Sequence, residues 1–428
     1  MKFDTIIIGG GLAGLTAGIS LARAGQRTAI IATGQSALHF WSGSFAFIAK
    51  RGGRPIFDTP SDAIADYPET HPYRLIGRDT TLRQLANAPA MLAEAGIKVR
   101  GSLERNHLRA TPMGYLKPSW LTMSEYLAVN KPDELRGKRI AIVNIAGYID
   151  CYPRFLDFNL RKVGAECTIS AVDIPQLGIL RKSTTEMRAT NMSRFLRDDA
   201  IDALAAEVDK ASGGADMVVM PAVVGIFSDE PVERLQRGVG RPVRFVPTLP
   251  ASVPGVRLQL SLRDLFISLG GTYLPGDTVV KGEFYHHSLK SVKTVNFEDM
   301  PLYADNFILA SGSFFSHGLI ATIDRIYEAA LGLDVNAPGN RSEWYDENFF
   351  NPQPYMKYGV ETDSGFRPLK NGEPLSNVYA CGAILGGFNA LKEGNGAGIT
   401  MATAYNAAES ILGSEVNFNV KPSKDADR

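Results

Sequence analysis

The sequence has few cysteines, no excess of either charge and no long apolar run, and each absence removes a class of function. Cys151, Cys167 and Cys381 are the only cysteines in 428 residues, and no two stand in a C-x-x-C pair. An iron–sulfur cluster held by this chain alone is excluded, since a cluster takes about four thiolates. The three read as buried thiols, with no disulfide framework and no metal site. Lys plus Arg and Asp plus Glu both number 45, so there is no basic footprint for a nucleic acid. No apolar run approaches the roughly 18–20 residues of a membrane span. The longest candidate, Met217 to Phe227, contains Pro221. The N-terminus runs directly into a strand without a secretory signal, which predicts a cytoplasmic protein. Hydrophobic content of 45% and charged content of 21% describe an ordinary globular chain. Its length predicts two domains.

What is present begins at the N-terminus. Phe3 to Ile8 has the length and β-branched content of a buried parallel strand. Gly9, Gly11 and Gly14 follow at G-x-G-x-x-G spacing, and Leu12 to Ala24 reads as a helix. In such a turn the first glycine permits the tight bend, the second lets a phosphate approach the backbone, and the third allows close helix–strand contact. The free amides and dipole at the helix start then favour a phosphate anion. Arg27 to Thr33 is a second strand and completes βαβ. One residue is missing. Dinucleotide folds place Asp or Glu about 20 residues past the glycines to hold an adenosine ribose. Here the strand ends Ile30-Ile31-Ala32-Thr33-Gly34, which leaves a mononucleotide open.

Further along, Gln35 to Ser44 mixes hydroxyls with aromatics, and Ser42-Gly43-Ser44 reads as a tight loop at the ligand edge of the sheet. Leu82 to Ala95 reads as an amphipathic helix, and 414–428 as a flexible tail. Asn106 to Trp120 looks like short antiparallel strands of an inserted domain, followed by strands at Arg139 to Ile145, Cys167 to Val172 and Asp216 to Met220. A helix over Thr185 to Leu196 places Arg188, Asn191 and Arg194 on one face. Arg257 falls in the first turn of a helix over Val256 to Leu269, where a cation opposes the dipole and calls for an anion. Asp305 to Ser316 carries a strand ending Ala310-Ser311-Gly312. Ser376 to Ala383 carries another, ending Ala380-Cys381-Gly382, before Glu393 to Gly398 opens a terminal helix over Ile399 to Leu412. The predicted class is α/β: a Rossmann-like FAD/NAD(P)-binding fold made of 1–97 and 271–413, with an α+β cap or substrate domain, 98–270, inserted.

The three glycine-marked strand ends look like the two-dinucleotide-binding-domain flavoprotein plan. Beyond it, Gln35 to Ser44, Met220-Pro221-Ala222, Pro247 to Pro250, Gly276-Asp277, Ala310 to Ser316, Arg341 to Tyr345 and Phe349 to Pro354 resemble the B-subunit family of anaerobic glycerol-3-phosphate dehydrogenase. The resemblance runs nearly end to end. It implies an FMN-containing subunit, FAD being the alternative flavin. The partners implied are an FAD-bearing catalytic subunit and a membrane-associated iron–sulfur subunit. Together they oxidise sn-glycerol 3-phosphate to dihydroxyacetone phosphate and pass electrons to a quinone in anaerobic respiration, at the inner face of the cell membrane. Competing readings are a stand-alone FAD oxidoreductase of fumarate-reductase type and a non-catalytic scaffold for the FAD-bearing partner.

Within this reading Gly9, Gly10, Gly11, Leu12, Ala13 and Gly14 hold the flavin phosphate, with Ser42, Gly43 and Ser44 nearby. Gly312, Gly382 and the 394–398 turn with Gly396 approach the ring or ribityl chain, although Ala383 stands where such enzymes commonly carry Asp. Arg257 and Arg188, with Arg194 behind them, are the candidates for a substrate phosphate. His317 is a candidate base. His39 is a candidate for a covalent flavin link of the fumarate-reductase kind, though the Gly-Gly pair of that motif is absent.

Overall fold

The structure, a computed structural model, describes residues 2–183 and 185–418. β1 (Lys2–Ile8) closes on the apolar run Ile6–Ile8, buried because both faces are covered there, as in an inner parallel strand. It leads through the glycine turn into α1 (Leu12–Arg23) and then β2 (Thr28–Ala32), which pairs with β1 in parallel. The inserted segment alternates strand and helix: β3 (Arg139–Ile145), α2 (Pro153–Lys162), β4 (Glu166–Val172), α3 (Asp199–Ala211), β5 (Met217–Pro221), α4 (Glu230–Val239) and β6 (Val243–Val246). After it come α5 (Val253–Ser268), β7 (Thr272–Pro275), β8 (Val279–Tyr285), β9 (Ser288–Thr294), β10 (Leu302–Leu309), β11 (Val378–Ala380) and α6 (Gly396–Leu412).

The main sheet has seven strands in the order β7-β2-β1-β10-β9-β8, with β11 also on β10. β7, β2, β1, β10 and β11 are mutually parallel, and the β8–β9 hairpin is antiparallel. The five parallel strands therefore end at one edge, although they come from 2–32 and 272–380. α1 lies between this sheet and α5: a Cβ at Gly18 would sit 2.8 Å from Ile30 and 3.1 Å from Phe266.

The insert differs from the expected α+β cap. A hairpin of His107–Ala110 with Leu116–Ser119 is antiparallel, as expected. Its larger sheet, β4-β3-β5-β6, is parallel throughout. Parallel neighbours need a crossover of a dozen or more residues, and α2, α3 and α4 supply them. Two helices are also shorter than expected. Leu82 to Ala95 is split between Arg78–Leu85 and Ala88–Glu94, because Pro89 lacks an N–H and fits only a first helical turn. Only Ala189–Phe195 is helical around Arg188, which is itself an extended N-cap. At the C-terminus the first tail residues are docked: the Phe418 N–H donates to Asn87 Oδ1 at 3.1 Å, and Arg23 lies over the Phe418 ring. The rest of the predicted tail, 419–428, lies outside the described residues.

Candidate functional site

The parallel strand ends place Gly9, Thr33, Asp277, Ala310 and Cys381 at one edge of the main sheet. A cavity of ≈ 650 Å³ opens there. It is lined by the α1 start, Gly9 to Ala13, by Thr33–Ser36 and Asp277–Val280, by Ala383, Gly396, Ala397 and Thr400, and by Ser311, Gly312 and Ser316–Gly318.

The glycines of the turn divide into two kinds. Gly9 has a φ of +119°, and a Cβ there would collide with the Ala310 carbonyl. A Cβ at Gly14 would collide with the Gly9 carbonyl. These two hold strand, turn and helix together, and Gly14 does not line the cavity. Gly11 is different. Its Cβ would meet only Ser36 Cβ, at 3.7 Å, so what Gly11 leaves open is ligand space. The first-turn amides of Leu12 and Ala13 have no intrahelical acceptor and both residues line the cavity. No Lys or Arg is among the lining residues, so a phosphate there would rest on α1 amides and the helix dipole.

The carboxylate absent after Thr33 arrives from another strand. Asp277 is 1% exposed, and its N–H donates to the Ala32 carbonyl at the end of β2. Its Oδ1 accepts the N–H groups of Thr278 (2.8 Å) and Asn296 (3.0 Å), while Oδ2 is buried without a partner. Ser311 Oγ, also on a lining residue, is a second buried orphan. Thr278 Oγ1 donates to Thr33 Oγ1 at 3.1 Å across a sequence separation of 245.

Of the predicted site residues, Gly9, Gly10, Gly11, Leu12, Ala13, Gly312, Gly396 and His317 line the cavity. The others do not, each for a visible reason. The Ser42-Gly43-Ser44 turn faces the insert: a Cβ at Gly43 would sit 2.8 Å from the Tyr126 ring, and Ser44 pairs with Thr122. Gly382 lies behind the wall, with its N–H donating to Thr403 Oγ1 at 2.9 Å, and Ala383 takes the lining position. His39 turns towards Gln259, where burial holds its pKa below the ordinary value, while Leu38, Phe40 and Trp41 line the cavity. The covalent link therefore has no support.

Arg257 does have its anion, but an internal one. It is 3% exposed, bonded through Nη2 to Glu125 and through Nη1 to the Ser228 carbonyl at 3.3 Å. Arg188 stands 3.6 Å from Asp150, and Arg194 is exposed; neither lines the cavity. Residues missed in sequence are Thr33, Gly34, Asp277–Val280 and Thr400, whereas Gln35 and Ser36 belong to the loop expected at the ligand edge and Ala397 to the turn expected at the flavin. The Gly276-Asp277 pair stands in the sequence only as one of the stretches that carry the family resemblance, and nothing local connects it to β2. Among the described residues no group of three or more His, Cys, Asp or Glu is placed to hold a metal, and no helix is long and apolar enough to cross a membrane.

A family model of the FAD binding domain matches residues 4–399. The B subunit of anaerobic glycerol-3-phosphate dehydrogenase from Yersinia pseudotuberculosis serotype I (strain IP32953) is 40% identical over 417 residues, covering 96% of this chain and 98% of the relative. The chain belongs to this B-subunit family. The same subunit of Pectobacterium carotovorum subsp. carotovorum (strain PC1) is 38% identical over 416 residues, covering 96% and 99%. Among solved structures, 3-ketosteroid delta1-dehydrogenase of Sterolibacterium denitrificans matches with a TM-score of 0.44 and 12% identity over 96% of this chain and 99% of that one. Family membership makes the chain a flavin-dependent subunit of a multi-subunit oxidoreductase. The residues fit a flavin: open space over Gly11, bare amides at Leu12 and Ala13, and orphaned polar atoms on Asp277 and Ser311. The resemblance implies FMN, and the missing carboxylate after Thr33 is what the residues add to that expectation. Asp277 removes that support, and the matching family model is of an FAD-binding domain.

Proposed function

We propose that this chain is an FAD-bearing component of a glycerol-3-phosphate:quinone oxidoreductase. It takes part in oxidising sn-glycerol 3-phosphate to dihydroxyacetone phosphate and passes the electrons towards quinone in anaerobic respiration. The observation that carries the cofactor assignment is Asp277, a buried carboxylate with one orphaned oxygen that lines the same cavity as the α1 start and stands beside Ala32 at the end of β2, where an adenosine ribose needs an acid and FMN does not. FAD supplies the two-electron chemistry. The protein supplies α1 amides for the pyrophosphate, Asp277 for the ribose hydroxyls, and the Gly396 and Ala397 amides for the electron-rich edge of the ring. Its expected companions are an FAD-bearing catalytic subunit and an iron–sulfur subunit that ties the complex to the inner face of the cell membrane.

A relay role within that enzyme is favoured over direct substrate oxidation. Glycerol 3-phosphate brings a phosphate of its own, yet the α1 amides are taken by the flavin pyrophosphate in this reading, no Lys or Arg lines the cavity and Arg257 is committed to Glu125. The test is co-purification of the complex, acid extraction of flavin from each separated polypeptide, and anaerobic mixing with glycerol 3-phosphate. FAD on this chain, bleached by substrate in the complex and not in the isolated chain, is the expected result. FMN on this chain refutes the cofactor assignment, and bleaching of the isolated chain refutes the relay.

A further inference from the structure

Beside the α6 N-terminus lies a buried polar cluster that the flavin reading leaves unused. His71 is 1% exposed and stacks on Tyr67 with centroids 3.9 Å apart. Its Nδ1 accepts the Tyr73 backbone N–H at 3.2 Å, so that nitrogen keeps its lone pair and the ring proton sits on Nε2. Nε2 donates to Glu393 Oε2 at 3.2 Å. The same oxygen accepts Asn395 Nδ2 at 2.6 Å, and Oε1 accepts the Asn389 N–H at 3.0 Å. Among the described residues no Lys or Arg pairs with this carboxylate, and His71 is a cation beside it only when protonated. Burial raises its pKa, but the bonds from His71, Asn389 and Asn395, and after them the charge of a protonated His71, outweigh burial and leave it lowered.

The cluster is joined directly to the cavity wall. Asn395 is 0% exposed, precedes α6 as its N-cap, and has Oδ1 buried without a partner. The next two residues, Gly396 and Ala397, line the cavity with first-turn amides that have no helical acceptor. Tyr73 fastens the same turn: its hydroxyl donates to the Phe47 carbonyl at 3.1 Å, and a Cβ at Gly398 would run into it. The Glu393 carboxylate and the cavity thus share one helix terminus.

We propose that Glu393 is a potential-setting residue, a half-buried carboxylate with no Lys or Arg partner that competes with reduced flavin for the positive end of α6. Reduction adds two electrons and one proton to the oxidised ring and leaves a net anion, which the terminus would stabilise more if Glu393 were uncharged. The proposal rests on the reading of the cavity as a flavin site.

The test is the midpoint potential of the flavin-loaded full chain, measured by equilibration with a reference dye at fixed pH. Glu393→Gln should favour reduction about tenfold, a positive shift of about 30 mV for a two-electron couple. Glu393→Asp, which keeps the charge, should stay close to the parent. A flavin-loaded Glu393→Gln protein with a lowered melting temperature and an unmoved potential overturns the proposal, since that is what a purely structural role predicts. If Glu393→Gln retains no flavin, His71→Lys neutralises the same carboxylate with a cation and carries the same expected shift and the same refuting result. Loss of flavin from both also overturns it. Absence of flavin from the parent chain is a separate outcome, visible before any substitution, and sinks the cavity reading first.

Discussion

Substituting alanine at Gly11 and at Gly14 separates the ligand role of the glycine turn from its folding role. At Gly11 the added methyl meets only Ser36 Cβ at 3.7 Å, an ordinary contact, and the backbone φ of −84° suits any residue. Alanine is a poorer N-cap than glycine by about 0.5–1 kcal/mol. The smaller entropy of the unfolded chain returns about 0.4–1 kcal/mol, so the flavin-free protein should melt nearly as the parent does. The methyl does occupy the space over the Leu12 and Ala13 amides. Losing one hydrogen bond to a charged group costs about 1.5–3 kcal/mol, which weakens flavin binding about 10–150-fold. At Gly14 the methyl runs into the Gly9 carbonyl, and overpacking of that kind costs about 1–3 kcal/mol or more. The assay pairs thermal melting of the flavin-free chains with titration by flavin, followed by fluorescence quenching. Gly11→Ala binding within threefold of the parent, or destabilising the flavin-free chain as much as Gly14→Ala, would refute the division.

Three further outcomes follow from the same geometry. Asp277→Asn keeps the Oδ1 bonds to Thr278 and Asn296 but turns the orphaned acceptor into a donor; it should weaken FAD at least about tenfold and leave FMN affinity unchanged, and equal losses in parallel titrations would sink the ribose assignment. Arg257→Ala leaves Glu125 buried without its cation and should cost about 3–5 kcal/mol in urea unfolding, with flavin affinity of the folded protein retained. His107, bonded to Thr122 at 2.7 Å, has its pKa lowered to about 4, first by burial and then by Arg100 and Arg109. Because the folded pKa lies below the unfolded 6.5, the unfolded chain takes up the proton first, and stability present above pH 6.5 is lost as pH falls through 4. The loss is about 3 kcal/mol in full, and His107→Gln should flatten that part of the stability–pH curve.

The sequence by itself determined the features that depend on neighbouring residues. The β1–turn–α1–β2 unit is legible because a buried parallel strand must be apolar throughout, and because only glycine tolerates the backbone contacts at positions 9 and 14. The glycine-marked ends of β10 and β11 are legible for the same reason, and the family resemblance could be carried by short stretches that each stand alone. Tertiary structure decided everything that depends on which distant charge or ring meets which. A cation in the first turn of a helix calls for an anion, but only folding shows that Glu125, not a substrate, answers Arg257. Ser42 to Ser44 follows β2 and still faces Tyr126, because a turn's direction is set by what packs on it. The carboxylate missing from β2 is the clearest case. Asp277 stands beside Ala32 only because β7 pairs with β2 across more than two hundred residues. Chain stereochemistry is local and can be read in order, whereas an electrostatic environment is a sum over neighbours that the order of residues does not name.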